Sequence, residues 1–378
     1  MEKPAAFFSI VVPCCNVARY VGDLVAALRA QSCTDWECIL SVETSTDGTL
    51  ARCEALAAAD VRFRVVVGPR SGSPATPRNR GLAAARGRYV VWLDGDDWLA
   101  DEALARLREA IRVHDEPEVV QGAVVEYRED DEGRRTFVGR HQNHRPSDVG
   151  RVLTGEETMI RFSDAPGHTS PMATMSVCRR DFLFAHGLSF QPGLKYEDNE
   201  WTARLLYFAR RLLPVDFDIY VYRRRVGSIT TANGGGTDFA QYAEVVRRLL
   251  LFFDAHPFSP AFARAWARRY LSFFFAIFFW GRHYPPGPGG FPAAARTACF
   301  RRILGMGGRR AFLRLSRHAG PLKKAAAPLV LLCGVHPILD CPARAYFRWF
   351  YYPLVLRAVR AAGQRPASPL DGAREAAP

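Results

Sequence analysis

Short apolar runs alternate with amphipathic stretches over the first 120 residues. Phe8–Val12, Trp36–Val42, Arg62–Val67 and Tyr89–Leu93 are rich in β-branched and aromatic residues and read as buried strands. Between them, Val17–Gln31 carries Val21, Leu24, Val25 and Leu28 at helical spacing. Asp101–Val113 does the same with Leu104, Leu107 and Ile111. Asp47–Ala59 and Asn79–Ala85 complete the helical set, with Ser45, Thr46 and Asp47 available as caps for the former. Strand–helix alternation of this kind predicts an α/β fold with a doubly wound, mostly parallel sheet. Ligands of such sheets sit at the carboxyl ends of the strands, so the residues just after each strand carry the information about function.

The pattern changes after residue 230. A break at Gly234–Gly236 precedes a helical stretch, Phe239–Phe253, and then two strongly apolar ones, Tyr270–Trp280 and Ala325–Leu339. Both fall short of the roughly 20 residues that span a bilayer, and Pro328 and Pro337 interrupt the second. A catalytic-type domain over 1–230, a helical region over 237–362 and a disordered tail over 363–378 are the expected organisation.

Charge sharpens that division. The chain of 378 residues carries +13, yet residues 241–378 hold 21 Lys and Arg against 5 Asp and Glu, so all the basic character lies there. Arginine interleaved with Phe273–Phe275, Phe278–Trp280 and Tyr346–Tyr352 suits an anionic membrane surface. A helical subdomain with solvated arginines is the plainer alternative. No nucleic-acid module or stacking platform is recognisable, so no nucleic-acid partner is expected. Nine cysteines without a CxxC pair argue against a zinc site or a secreted disulfide framework and fit a reducing compartment. Lys3 and the apolar Ala5–Val12 mimic a short signal peptide, but Pro13 and Asn16 follow with no small-residue cleavage site, and a strand is the better account.

The densest chemistry is Asp94-Gly95-Asp96-Asp97, directly after the strand Tyr89–Leu93. In an extended segment residues i and i+2 share a face, so Asp94 and Asp96 would converge, and Gly95 would let the backbone approach a ligand. Hard carboxylate oxygens at a strand end suit Mg²⁺ or Mn²⁺, completed by substrate phosphates and water. Read alone, the tetrad could equally be a polar turn capping the next helix.

Further pieces bear on this choice. They are Ser9-Ile10-Val11-Val12-Pro13-x-x-Asn16, Ser45-Thr46-Asp47-Gly48, Arg78-Asn79-x-Gly81-Leu82, Gly87-x-Tyr89-Val90 and Leu93-Asp94-x-Asp96-Asp97. In this order and spacing the chain resembles the family-2 glycosyltransferases of the GT-A fold, which build bacterial polysaccharides. Tyr196-Glu197-Asp198, the helix Trp201–Ala209 and Tyr220-x-Tyr222-Arg223 extend the resemblance to about residue 230, leaving the C-terminal third unaddressed.

The resemblance implies roles position by position. Asp94 and Asp96 would be metal and nucleotide carboxylates, with Asp97 near the metal. Pro13, Glu43 and Arg78 would lie along the nucleotide. Asp198, with Glu197 beside it, would serve as the catalytic base. The implied cofactor is Mn²⁺ or Mg²⁺. The implied partners are a nucleotide-sugar donor, with a UDP-sugar favoured, and a glycan or lipid-linked acceptor, met at the inner face of the plasma membrane. Two positions depart from the pattern. Val42-Glu43 stands where the family pairs two acids, and Cys15 where it usually has an aromatic residue.

Local readings compete with these roles. Glu197, Asp198 and Glu200 would also complement the positive end of a helix. Arg78 and Arg80 could be surface cations. His168 and His186 are candidate ligands or structural histidines. Trp92 reads as core, and Trp98 could line a sugar site, core packing being the plainer alternative. The rival functions are a nucleotidyltransferase, which lacks its Gly-rich phosphate loop here, and a degenerate relative kept as a membrane-bound scaffold.

Overall fold

The structure, a computed structural model, describes residues 6–130, 132–163, 171–224, 239–271, 301–305 and 307–320. Its strands are β1 (Phe8–Cys14), β2 (Trp36–Glu43), β3 (Phe63–Gly68), β4 (Tyr89–Trp92), β5 (Trp98–Leu99), β6 (Val119–Glu129), β7 (Arg135–His141), β8 (Ser176–Arg179) and β9 (Leu212–Arg224). The described strands form one nine-stranded sheet in the order β3-β2-β1-β4-β8-β6-β9-β5, with β7 paired to β6. Pairing is parallel from β3 to β4, as the strand–helix alternation predicts. Beyond β4 the sheet turns mixed: β8 is antiparallel to both β4 and β6, whereas β9 runs parallel to β6.

Strand alternation divides the core into two layers. Phe8, Ile10, Val12, Leu40 and Val42 face helices α1 (Val21–Arg29), α2 (Thr49–Ala59) and α4 (Ala103–Val113). Val11, Ile39 and Trp92 face the opposite layer, made of α3 (Ala75–Ala84), α5 (Gly155–Ser163), α6 (Arg180–Ala185) and α7 (Glu197–Phe208). The helix expected from Val17 begins only at Val21, because Val17–Tyr20 form a turn tied to the neighbouring loop. The helix expected from Trp201 begins four residues earlier, at Glu197, where acidic residues fill the first turn.

The C-terminal helices α8 (Phe239–Ala255), α9 (Pro260–Trp266) and α10 (Gly308–Ser316) do not build a core of their own. Leu249, Phe253, Phe262, Trp266, Phe312 and Leu315 belong to the same apolar cluster as Trp92 and Trp201. The core thus continues across the boundary expected at 230–237. Ser259 caps α9 by accepting from Phe262 N, and Pro260 stands at its first position. The glycine break, most of the Tyr270–Trp280 run, all of Ala325–Leu339 and the tail lie outside the described residues. Among the described residues no helix is long and apolar enough to cross a membrane.

Candidate active site

At the carboxyl ends of β1 and β2 two loops are knitted by side chains. Asn16 adopts the left-handed region at φ 53°, and its Oδ1 accepts from Thr46 N at 2.9 Å. Asn16 N donates to Ser45 Oγ, and Val17 N to Thr49 Oγ1 at 2.9 Å. Asp47 accepts from Ala18 N at 3.0 Å and from the Thr49 hydroxyl at 2.6 Å. Burial alone would raise the Asp47 carboxyl, but these donors hold it below the usual range. The Asn16 and Ser45–Asp47 motifs are therefore one rigid unit under the mouth of the sheet.

Glu43 ends β2 and is 3% exposed. One carboxylate oxygen accepts from Ser71 N at 3.2 Å; the other, Oε1, is buried without a hydrogen-bond partner and stands 3.9 Å from Arg80. Val42 points the other way, into the layer under α1 and α2. An acid at 42 would therefore be buried among apolar side chains, which gives a physical reason for the valine. Cys15 is half-buried at the end of β1. Pro13 sits where β1 keeps β2 as neighbour but has outrun β4, so its missing N–H costs no ladder bond.

Helix α3 assembles the next part. Asn79 donates to Phe190 O and accepts from Phe190 N, at 2.7 and 2.8 Å, so it clamps a backbone 111 residues away. A Cβ on Gly81 would lie 2.4 Å from Val11 Cγ1, so glycine lets the helix lie directly on β1. Arg78, 5% exposed, projects between two acids. Its Nη1 donates to Glu197 Oε1 at 2.5 Å and its Nη2 to Asp94 Oδ1 at 2.6 Å, while the guanidinium lies 5.2 Å from the Phe190 ring centroid.

Asp94–Asp97 is not extended. Asp97 N donates to Asp94 O at 3.1 Å and closes a turn through Gly95, where a Cβ would come within 3.1 Å of Pro13 O. Convergence of Asp94 and Asp96 by strand alternation is thus replaced by a turn pressed against the end of β1. Asp94 is partly exposed and Asp96 half-buried. Asp97 also departs from expectation. It is 1% exposed, with Oδ2 accepting from the Tyr220 hydroxyl and Oδ1 from Arg223 N at 2.7 Å. Its oxygens tie the turn to β9, which removes it from the side chains a metal could reach. Burial, then the charges of Asp96 and Asp94, push its carboxyl well above the usual range. No cluster of three His, Cys, Asp or Glu side chains among the described residues could hold a metal unaided.

On the far side of Arg78, α7 opens with Glu197 and Asp198. Glu197 is 3% exposed and spent on Arg78; Asp198 is half-buried, with Oδ1 accepting from Asn199 Nδ2 at 3.1 Å. Burial raises both carboxyls against the pull of Arg78, Glu197 to about 7 and Asp198 to about 6. Arg78 also moves up, because the two carboxylates outweigh its own desolvation. The asymmetry is physical: one guanidinium gains two anions, whereas each anion shares a single cation and loses more hydration than that returns. The helix N-terminus that favours an ionised Asp198 is overridden by burial and by Asp94.

Residues 9–184 match the model for glycosyl transferase family 2. The chain carries a family 2 glycosyltransferase domain. The chain is 25% identical over 223 residues to glycosyltransferase GlyG of Streptococcus pneumoniae, covering 58% of this chain and 72% of the relative. It is 33% identical over 100 residues to the poly(ribitol-phosphate) beta-N-acetylglucosaminyltransferase TarS of Staphylococcus aureus, covering 26% of this chain and 17% of that one. The crystal structure of TarS residues 1–349 with UDP-GlcNAc superposes with a TM-score of 0.67 at 18% identity, covering 90% and 91% of the two chains. The chain therefore has the GT-A fold, and the family 2 match over residues 9–184 speaks against the nucleotidyltransferase alternative.

Several residues that build the candidate site had no role assigned from the sequence. Tyr220 joins Asp97 to Asp94 N, and Phe190 supports Arg78. Arg223 is buried among Asp97, Glu129 and Asp23. The Tyr-x-Tyr-Arg motif hinted at Tyr220 and Arg223, and no sequence signal marked Phe190. Trp98 lies within 4.3 Å of the Arg135 guanidinium and 4.9 Å of that of Arg223, so cations cover the ring expected to line a sugar site. His186 stacks on Phe208 and packs against Phe182, a structural role, and Trp92 is core between Phe190 and Trp201. His168 lies outside the described residues.

Proposed function

We propose that this glycosyltransferase moves a sugar from a uridine diphosphate donor to a hydroxyl of a glycan or lipid-linked acceptor, with inversion at the anomeric carbon. One observation carries the reading. A single buried guanidinium is bonded on one side to Asp94, at the end of a central strand, and on the other to Glu197, the neighbour of Asp198. Nucleotide-side and acceptor-side carboxylates thereby belong to one cluster.

Asp198 is the base in this reading. As the acceptor oxygen bonds to the anomeric carbon, Asp198 takes the hydroxyl proton, and the bond from that carbon to the diphosphate oxygen breaks with its electron pair leaving on the diphosphate. With no protein nucleophile between, the single displacement inverts the centre. Glu197 orients Arg78, which lies beside the leaving diphosphate. Asp94 and Asp96 supply two hard oxygen donors, a set that suits Mn²⁺ or Mg²⁺ when diphosphate and water complete the shell. The ion so held would stabilise the departing charge as a Lewis acid. The Oε1 of Glu43, buried without a hydrogen-bond donor and 3.9 Å from Arg80, suits the N–H of a uracil ring, since a buried acceptor seeks a donor. The UDP-GlcNAc bound by the structurally similar TarS supports this donor class, and the poly(ribitol-phosphate) acceptor of that relative supports a glycan-type acceptor.

The basic C-terminal third adds an anionic membrane surface to the reading. Arg301, Arg302, Arg309, Arg310 and Arg317 are exposed around α10, as is Leu313 at 41%.

Calorimetric titration of UDP, GDP and CDP, with and without Mn²⁺, tests the donor side. Binding of UDP that needs Mn²⁺ and disappears in Asp96→Ala is the expected result. A folded protein that binds none of the three would sink the transferase reading and leave the scaffold one.

A further inference from the structure

We propose that helix α8 of the C-terminal region positions the catalytic base, with Tyr242 and Gln241 holding the loop that ends in Glu197 and Asp198. The inference rests on the transferase reading for the role of Asp198, and goes beyond it in assigning a task to a region that the family match, ending at residue 184, does not reach.

Tyr196 is the pivot of this loop. It precedes Glu197 and caps α7 in the left-handed region, at φ 60° and ψ 33°. A non-glycine residue is uncommon there and persists only where its surroundings over-determine it. Its own helix offers little, since α7 has no side-chain cap at this position. Two contacts from α8 supply the restraint. The Tyr242 ring stacks on the Tyr196 ring, with centroids 4.2 Å apart and planes 21° from parallel. One residue earlier, Gln241 Oε1 accepts from Lys195 N at 3.0 Å. Adjacent residues of one helix thus grip two successive residues of the loop, one through the ring and one through the backbone.

What the grip fixes is the start of α7. Asn199 N donates to Tyr196 O at 3.1 Å, and Asn199 Nδ2 donates to Asp198 Oδ1. A rotation at Tyr196 therefore carries Asp198 with it and changes its setting against Arg78. Tyr242 is close enough for Asp198 to act on its hydroxyl, which burial first, then Tyr196 and Asp198, keep above the ordinary tyrosine range. The ring stack on Tyr196 is the part of Tyr242 to which the positioning role is assigned. Tyr242 is accordingly a positioning residue, acting through Tyr196, and α8 is held in turn by the apolar core it shares with the sheet.

The test uses the full chain with Mn²⁺ and measures two quantities: hydrolysis of UDP-N-acetylglucosamine, UDP-glucose and UDP-galactose by UDP release, and the calorimetric Kd for UDP. Tyr242→Ala should lower kcat by about 10- to 100-fold, the scale of a misplaced catalytic group, and leave the UDP Kd within about twofold. Tyr242→Phe should keep kcat near wild type. In a Tyr196→Gly background, where glycine enters the left-handed region freely, adding Tyr242→Ala should cause no further loss. Gln241→Ala, which keeps the ring stack, should lower kcat less than Tyr242→Ala does, again without weakening UDP, and serves if Tyr242→Ala does not fold. Wild-type kcat in both Tyr242→Ala and Gln241→Ala overturns the proposal. So does a parallel loss of UDP binding and kcat, or a Phe variant as impaired as the Ala one. A wild-type protein that neither binds UDP nor releases it overturns the transferase reading itself, and is recognised before any variant is measured.

Discussion

At the scale of single residues, the site is governed by how few cations serve its acids. Arg78 faces Asp94 and Glu197 directly, and Asp198 acts on it through space. Burial lifts Asp198 to about 6. As the proposed base, Asp198 must be deprotonated, so its working form dominates above that value and is lost as pH falls through it. The kcat/KM profile should therefore drop about tenfold per pH unit below about 6, and that acidic limb should vanish in Asp198→Asn. Turnover in that variant should fall by about 10²- to 10⁴-fold, with the UDP Kd unchanged. A variant that keeps both its rate and its acidic limb would mean that another group takes the proton. The family resemblance pointed to Asp94, Arg78 and Asp198 as individuals. It could not reveal that Arg78 and Glu197, 119 residues apart, share a 2.5 Å contact, because nothing local encodes a pairing across that distance.

At the scale of elements, α3 ties the site to the core. Its sequence does four separate things in five residues: Arg78 enters the site, Asn79 clamps Phe190, Gly81 admits β1 and Leu82 joins the core. Gly81→Ala would place a methyl 2.4 Å from a Val11 methyl that is itself locked in the core. Such overpacking costs about 1–3 kcal/mol, so thermal denaturation should show a lower Tm, and kcat should fall further than stability alone explains because Arg78 rides on the same helix. An unchanged Tm would mean that α3 moves off β1 without resistance. The start of α7 teaches a related lesson. Apolar periodicity begins at Trp201, yet the helix begins at Glu197, since its first turn is acidic and answers to the helix dipole and to Arg78, not to the core.

At the scale of the molecule, the catalytic sheet and the C-terminal helices share one apolar cluster, from Val11 and Trp92 through Trp201 to Trp266 and Leu315. The basic face of α10 is built outward on that shared core. Charge and the exposed Leu313 predict binding to phosphatidylcholine vesicles that contain phosphatidylglycerol and not to those without it. Each of Arg309→Gln and Arg317→Gln should weaken that binding about fivefold, equivalent to about 1 kcal/mol per charge. Equal binding to neutral vesicles, or none to either, would count against the membrane surface. The sequence by itself determined the parallel half of the sheet, the helix faces and the loops that hold Asn16, Asp47 and Asp94. Those follow from the periodicity and turn chemistry of neighbouring residues. Only the tertiary structure decided that Asp97 is sealed under Tyr220, that Val42 faces the core while Glu43 does not, that β8 and β9 complete a mixed sheet, and that Tyr242 stands against Tyr196. Each of these depends on which distant segments pack together, and packing is settled by the burial of whole faces at once, which no local pattern records.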